Sequence, residues 1–447
     1  MNVPPTIAGD AHRLGVLGLA ERLRRKKGGA EAATRHFLDR IARIDPGLCA
    51  FTHVASEEAL AAAADCDRRL ADGSARPLEG VPVGLKANID VAGWPVTGGI
   101  GAFRDRIAPG DAEVARRLRS AGAVLLGLLN MHEAALGATT DNAFFGRTHN
   151  PHRHGFTPGG SSGGSGAAVA AGLVPAALGT DTLGSVRIPA GYCGVAGLKA
   201  TNGAVSNEGL MLLVERWDCI GPLARSVADC GAILEVLADL GDSAPIARVA
   251  TLASMERVDL APAVRAAFRT ARNLLRGIGP DVGEHTARLD HHRVRMAGFV
   301  MATREAQAHF GPAMQENANG FSQQFRDLLA FGARFDAAAV REAEVTIDSA
   351  RAELHAILQV ADAILLPTTP GPAFAFEGPH PVSQADFTAL ANIAGLPALS
   401  LPAGWTEEGL PVGIQLLARP GAERALIALG TQLEQALNAT RWPQGHE

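Results

Sequence analysis

Hydrophobic positions along the chain switch between a helical period and short apolar runs. Residues 30–75 are Ala-rich, with Phe37, Ile41 and Ile44 on one helical stripe and a break at Asp45-Pro46, so residues 1–75 are expected to be a helical N-terminal region. Residues 80–90, GVPVGLKANID, predict a buried strand that leaves into a loop. Residues 111–127 predict a helix followed by a strand, AVLLGLL. A Gly/Ser stretch, GFTPGGSSGGSG, occupies 155–166 and reads as a tightly framed loop before a buried helix over 167–174. Residues 176–185, AALGTDTLGS, predict a short strand and turn. From 245 to 360 the chain is rich in Ala, Arg and Glu with few turn signals, which predicts a helical excursion over one side of the core. Residues 361–369 and 411–418 predict core strands, and residues 423–437 an amphipathic helix. Strands alternating with helices imply an α/β fold: a large twisted mixed β-sheet core sandwiched between α-helices.

Composition narrows the function classes. The 447 residues are 47% hydrophobic and 19% charged, enough to bury a large core and unlike a disordered chain. A net charge of −5 offers no basic field for nucleic acid. Cys49, Cys66, Cys193, Cys219 and Cys230 show no paired spacing, which argues against disulfides and structural zinc and for reduced thiols in a cytoplasmic protein. MNVPPTIAGD lacks a secretory pattern, and no run of 18 apolar residues predicts a membrane span. The basic cluster Arg22, Arg24, Arg25, Lys26 and Lys27 reads as the cationic end of a helix closed by Gly28 and Gly29. Lysine occurs only at 26, 27, 86 and 199. A lysine kept inside an apolar strand, as Lys86 is, points to titration, which arginine cannot supply.

Candidate chemistry centres on Gly159-Gly160-Ser161-Ser162-Gly163-Gly164-Ser165 and on Gly184-Ser185. No lysine follows these glycines, so they are not a phosphate loop. Gly160 to Gly164 matches G-x-S-x-G with Ser162 central, but PHRHGFTP precedes it where that motif needs a strand. His149, His152 and His154 lack a nearby carboxylate or cysteine to complete a metal site, so no metal is expected. On its strand, Lys86 shares a face with Pro82 and Gly84, which leave room for it. Burial there makes a lysine a neutral base near working pH.

Together these segments resemble the amidase signature family. The resemblance rests on residues 158–165, Gly179-Thr180-Asp181-Thr182, Gly184-Ser185-Val186-Arg187-Ile188-Pro189-Ala190, Cys193-Gly194 and Gly197-Leu198-Lys199. It extends to Gly80-Val81-Pro82-Val83 with Leu85-Lys86, Asn130-Met131-His132-Glu133, residues 221–226, Gly395-Leu396-Pro397-Ala398 and residues 409–413. It implies one amidase domain over 1–447, with a catalytic core at 80–230, a variable helical excursion at 245–360 that shapes the pocket, and C-terminal core strands and helix at 361–447. By motif position Ser185 is the nucleophile, Ser161 the bridging serine after a cis Gly160–Ser161 peptide, and Lys86 the base. Backbone N–H groups of Thr182, Leu183, Gly184 and Ser185 form the oxyanion hole. Ser162, Asp181 and Arg187 support the turn, the latter two as an ion pair or backbone anchor. Met131 and Tyr192 are pocket candidates, and no cofactor is implied. Leu183 departs from the small residue common in the family and narrows the space beside the oxyanion hole. Leu128 and Ala200 also depart, away from the proposed chemistry.

The expected activity is hydrolysis of a small carboxamide C–N bond through an acyl-enzyme. Two alternatives stand beside it: a tRNA-dependent amidotransferase, of which this chain would be the amidase component, or a hydrolase of ureido or biuret-like substrates. Both a homodimer and a complex with a small partner subunit stay open.

Overall fold

The computed structural model describes residues 10–25 and 28–446. Thirteen strands are present among them: β1 (Phe51–Val54), β2 (Pro82–Lys86), β3 (Val124–Leu129), β4 (Asp141–Asn142), β5 (Gly146–Arg147), β6 (Ala176–Asp181), β7 (Ala196–Lys199), β8 (Cys219–Ala224), β9 (Arg248–Leu252), β10 (Asp281–His285), β11 (Ala363–Pro367), β12 (Ala398–Trp405) and β13 (Pro411–Ala418). β4 and β5 form a small hairpin. The other eleven make one mixed sheet in the order β1-β3-β2-β6-β8-β7-β12-β13-β11-β9-β10. The α/β fold expected from the pattern is therefore present.

Residues of β2, β3, β6, β8, β11 and β13 are buried throughout, which explains why these strands read as near-continuous apolar runs. Helices cover the sheet. Helix Glu423–Leu437 lies over β12, and its bounds match the expected amphipathic segment. β2, β3 and β6 run parallel, with Val83 opposite Ala176 and Leu85 opposite Leu178. That register brings Lys86, the last residue of β2, beside the end of β6. Open α/β sheets place their sites outside such carboxyl ends.

Several expectations need correction. Residues 30–75 are not wholly helical: edge strand β1 separates helices Ala30–Leu48 and Ser56–Asp72. The first helix runs past Pro46 to Leu48, and the Asp45 carboxylate then accepts the Ala50 and Phe51 N–H groups. The helix expected over 167–174 spans Gly163–Ala170, so the glycines open it rather than precede it. The 245–360 segment is not only helical: β9 and β10 extend the sheet beyond β11. β12, a core strand between β7 and β13, escapes the pattern because Pro402 interrupts it, at a register shift opposite Gly413. Of the basic cluster, Arg22 and Arg24 occupy the last turn of helix Gly15–Arg24, while Lys26 and Lys27 lie outside the described residues. Among the described residues no helix is long and apolar enough to cross a membrane.

Candidate active site

Lys86 is fully buried, and its Nζ donates to Ser161 Oγ and to Thr180 Oγ1, each at 2.7 Å. Burial pushes it down to about 7, although the negative charges of Asp218 and Asp181 oppose the shift. Gly84 makes space for a neighbour other than the lysine: a Cβ there would stand 2.7 Å from Leu129 Cδ1. Lys199 is equally buried, so scarcity alone does not single out Lys86. Lys199 Nζ donates to the carbonyls of Ala200 and Leu396 and to Asn202 Oδ1, which ties β7 to the turn before β12. Its partners are carbonyl oxygens, which can only accept, whereas Lys86 meets hydroxyls that can also surrender a proton.

The Gly160–Ser161 peptide is cis. Ser161 is fully buried, and its carbonyl accepts the His132 N–H at 3.0 Å. The glycines around it reflect close approach of backbone. A Cβ on Gly160 would lie 2.7 Å from Thr139 N, and one on Gly164 2.4 Å from Asn130 O. Ser162 Oγ donates to Thr180 O and accepts from Thr180 N, both at 3.1 Å, while Ser162 N donates to Ser185 O at 3.2 Å. Ser162 thus ties the glycine loop to β6 and to Ser185.

The turn after β6 is organised by Asp181. Its carboxylate accepts from Gly184 N (2.8 Å), Val186 N (3.1 Å), Asn392 Nδ2 (2.9 Å) and both edges of the Arg187 guanidinium (2.9 and 3.0 Å). Burial alone would raise this carboxyl, but the Arg187 charge and hydrogen bonds outweigh it and hold the group at about 2. Arg187, also fully buried, continues to Gln415 Oε1 and Asn392 Oδ1. The pair sits where an ion pair and backbone anchor belong. Gly184 has φ +129°, and a Cβ there would collide with Thr388 Oγ1 at 2.1 Å.

Gly184 N–H, expected among the oxyanion donors, is committed to Asp181. The N–H groups of Thr182, Leu183 and Ser185 have no hydrogen-bond acceptor among the described residues. Thr182 Oγ1 donates a short hydrogen bond to Asp218, which also accepts Leu213 N (2.6 Å) and Val214 N (3.1 Å). Asp218 is a site residue that the sequence alone does not disclose. It stands on no recognisable pattern of its own and meets Thr182 only through the antiparallel pairing of β6 with β8.

Ser185 lines a cavity of about 510 Å³ with Thr182, Leu183, Leu213, Phe299 and His132. Burial lowers the His132 imidazole to about 4. Its Nδ1 lies 3.2 Å from Thr139 Oγ1, and motif position assigns neither residue a role. No hydrogen bond joins the Ser185 and Ser161 hydroxyls among the described residues, so the proton path closes only when the Ser185 hydroxyl turns toward Ser161. Leu183 does narrow the cavity, and it rests on bare backbone: a Cβ on Gly298 would stand 3.0 Å from Leu183 Cδ2.

Met131 and Tyr192 do not line this cavity. Met131 is fully buried in the main core beneath Gly99, and Tyr192 packs edge-on against Phe374 in a separate apolar cluster with Ile188 and Leu410. Helix Arg187–Cys193 turns Tyr192 away from Ser185. The three histidines do not converge. His149 stacks on His154 with centroids 3.8 Å apart, while His152 Nε2 lies 3.0 Å from the Cys193 carbonyl.

A family model for Amidase matches residues 32–427. Over 467 aligned residues the chain is 36% identical to the amidase-type (A) component of glutamyl-tRNA(Gln) amidotransferase from Chromohalobacter salexigens, covering 94% of this chain and 95% of that one. Peptide amidase of Stenotrophomonas maltophilia superposes with a TM-score of 0.82 at 30% identity, covering 96% of this chain and 98% of that one. A protein from a vestigial complex, described as revealing the evolutionary origins of an s-triazine catabolic enzyme, superposes at 0.88 with 33% identity, covering 96% and 99%. With the match spanning nearly the whole described fold, the chain belongs to the amidase signature family of hydrolases that act on C–N bonds.

Proposed function

We propose that the protein hydrolyses a carboxamide bond of a small-molecule substrate through an acyl-enzyme on Ser185. The observation that carries the reading is the Lys86–Ser161 hydrogen bond, made by a lysine held near neutrality. Neutral Lys86 takes the Ser161 proton as Ser161 takes the Ser185 proton, since a hydroxyl donates and accepts at once. Ser185 Oγ then attacks the carbonyl carbon. The N–H groups of Thr182, Leu183 and Ser185 receive the developing oxyanion. Collapse breaks the C–N bond, and the proton returns along the same path to the departing ammonia or amine. Water repeats the sequence on the acyl-enzyme and releases a carboxylate.

The test is incubation with a mixed amide library, followed by intact-mass analysis. An adduct on the wild-type protein and none on Ser185→Ala is expected. Turnover of every tested amide unchanged by Ser185→Ala would refute the reading. Similarity to an amidotransferase component favours a second reading, in which a partner protein is required. Glutamine hydrolysis that appears only with a partner would establish it.

A further inference from the structure

The cavity that contains Ser185 is mostly apolar, and no aspartate or glutamate lines it. Arg295 is the one lining residue with a fixed charge among the described residues. It lies on helix His291–Glu316, whose Met296, Phe299 and Ala302 also face the cavity. Gly298, three residues further on, abuts Leu183, two residues from Ser185 in the chain. Three residues of helix amount to about 4.5 Å along the axis, so Arg295 stands within a short substrate's length of the nucleophile's turn.

Arg295 is held from behind. Its Nε donates to Asp386 Oδ1 at 2.7 Å, its Nη2 approaches His292 Nδ1 at 3.2 Å, and its side chain is only 11% exposed. Asp386 is more deeply buried, at 4%, and does not line the cavity. A guanidinium has five N–H donors, and these contacts use two of them. Nη1 has no hydrogen-bond partner among the described residues. The remaining donors include the end-on edge that binds a carboxylate bidentately, with the guanidinium already oriented.

We infer that Arg295 is a specificity-determining residue: it binds a carboxylate on the substrate, separated from the scissile amide by a short apolar spacer. The proposal rests on the amidohydrolase reading of Ser185. Met296, Phe299 and Leu328 suit the spacer, and the uncharged remainder of the cavity leaves Arg295 to select the anion.

The test compares succinamate, glutaramate and adipamate with uncharged amides of the same length that end in isopropyl. At least one acid amide should show kcat/KM about tenfold or more above its uncharged match, as expected for hydrogen bonds to a charged group. That ratio should collapse in Arg295→Gln and be partly retained in Arg295→Lys. Because Arg295→Gln strands a buried carboxylate, Arg295→Gln with Asp386→Asn is measured alongside it, and the ratio is read within each variant. No preference, or a preference that survives Arg295→Gln, overturns the proposal while leaving the hydrolase reading intact. If no amide is turned over, the hydrolase reading falls. Calorimetric binding of glutarate to Ser185→Ala then decides the subsite: binding lost on adding Arg295→Gln supports it, and absence of binding overturns it.

Discussion

Replacing Lys86 with methionine separates its electrostatic cost from its catalytic use. An unfolded lysine titrates near 10.5, while Lys86 in the folded chain sits at about 7. The gap corresponds to about 5 kcal/mol of penalty on the charged form in the native state. Between the two values the unfolded chain binds one more proton than the native one, so native stability rises with pH across that window, by about 1.4 kcal/mol per pH unit at most. Below about 7 both states are protonated and the full penalty persists. Methionine has similar length and no charge, so Lys86→Met lacks this dependence. From pH 6 to pH 9 the stability difference between wild type and Lys86→Met should move by about 2.7 kcal/mol in favour of wild type. The comparison cancels pH-independent effects of losing the Ser161 and Thr180 hydrogen bonds. Urea unfolding followed by the fluorescence of buried Trp94 and Trp217 reads it directly. In parallel, wild-type kcat/KM should climb through about 7 and level above it, while Lys86→Met and Lys86→Arg are inactive. A stability difference that is the same at both pH values, or an activity limb centred near 10, would refute the reasoning.

Asp218→Asn should lower the midpoint of that activity limb, because its negative charge holds Lys86 up; a pH–rate profile with an unmoved midpoint would count against the coupling. Asp181→Asn leaves the fully buried Arg187 guanidinium without its carboxylate and should cost about 3–5 kcal/mol, seen as a lowered urea midpoint. An unchanged midpoint would show that Asn392 and Gln415 suffice to hold the cation. Gly298→Ala places a methyl 3.0 Å from Leu183 Cδ2 and should reduce kcat/KM several-fold. Adding Leu183→Ala should make the two losses non-additive; strictly additive losses would place the effect elsewhere.

Lys86, Ser161, Ser162, Asp181, Arg187 and Ser185 are legible in the sequence because each sits in a short segment whose residue types serve little other purpose. Their partners are not, because partnership here is a matter of strand register. Thr180 meets Lys86 only because β2 and β6 run parallel with Leu85 opposite Leu178. Asn392 and Gln415 meet Arg187 across more than 200 residues of chain. Tyr192 is close to Ser185 in sequence but not in space, because a short helix carries it to the Phe374 side. The helix that starts at Gly163 reads as loop because helix propensity counts against glycine, whereas close approach to Asn130 and Thr140 requires it. The fold class is readable from buried strands with unbroken apolar runs. Edge strands β1 and β10, short and half exposed, carry too weak a pattern.

The bracing of the Ser185 turn from the far end of the chain has a consequence for biosynthesis. Thr388 Oγ1 donates to Leu183 O across 205 residues, and Asn392 holds Asp181 from 211 residues away. A nascent chain that has emerged as far as the middle of the excursion already carries every proposed reacting group, yet none of these braces. At ordinary elongation rates the interval before Thr388 follows Leu183 is roughly 10–40 s. During that interval the nucleophile's turn is unassembled, so an unfinished chain cannot attack amides around it. The ordering of the polypeptide itself works as a safety catch, released when β12 and β13 join the sheet.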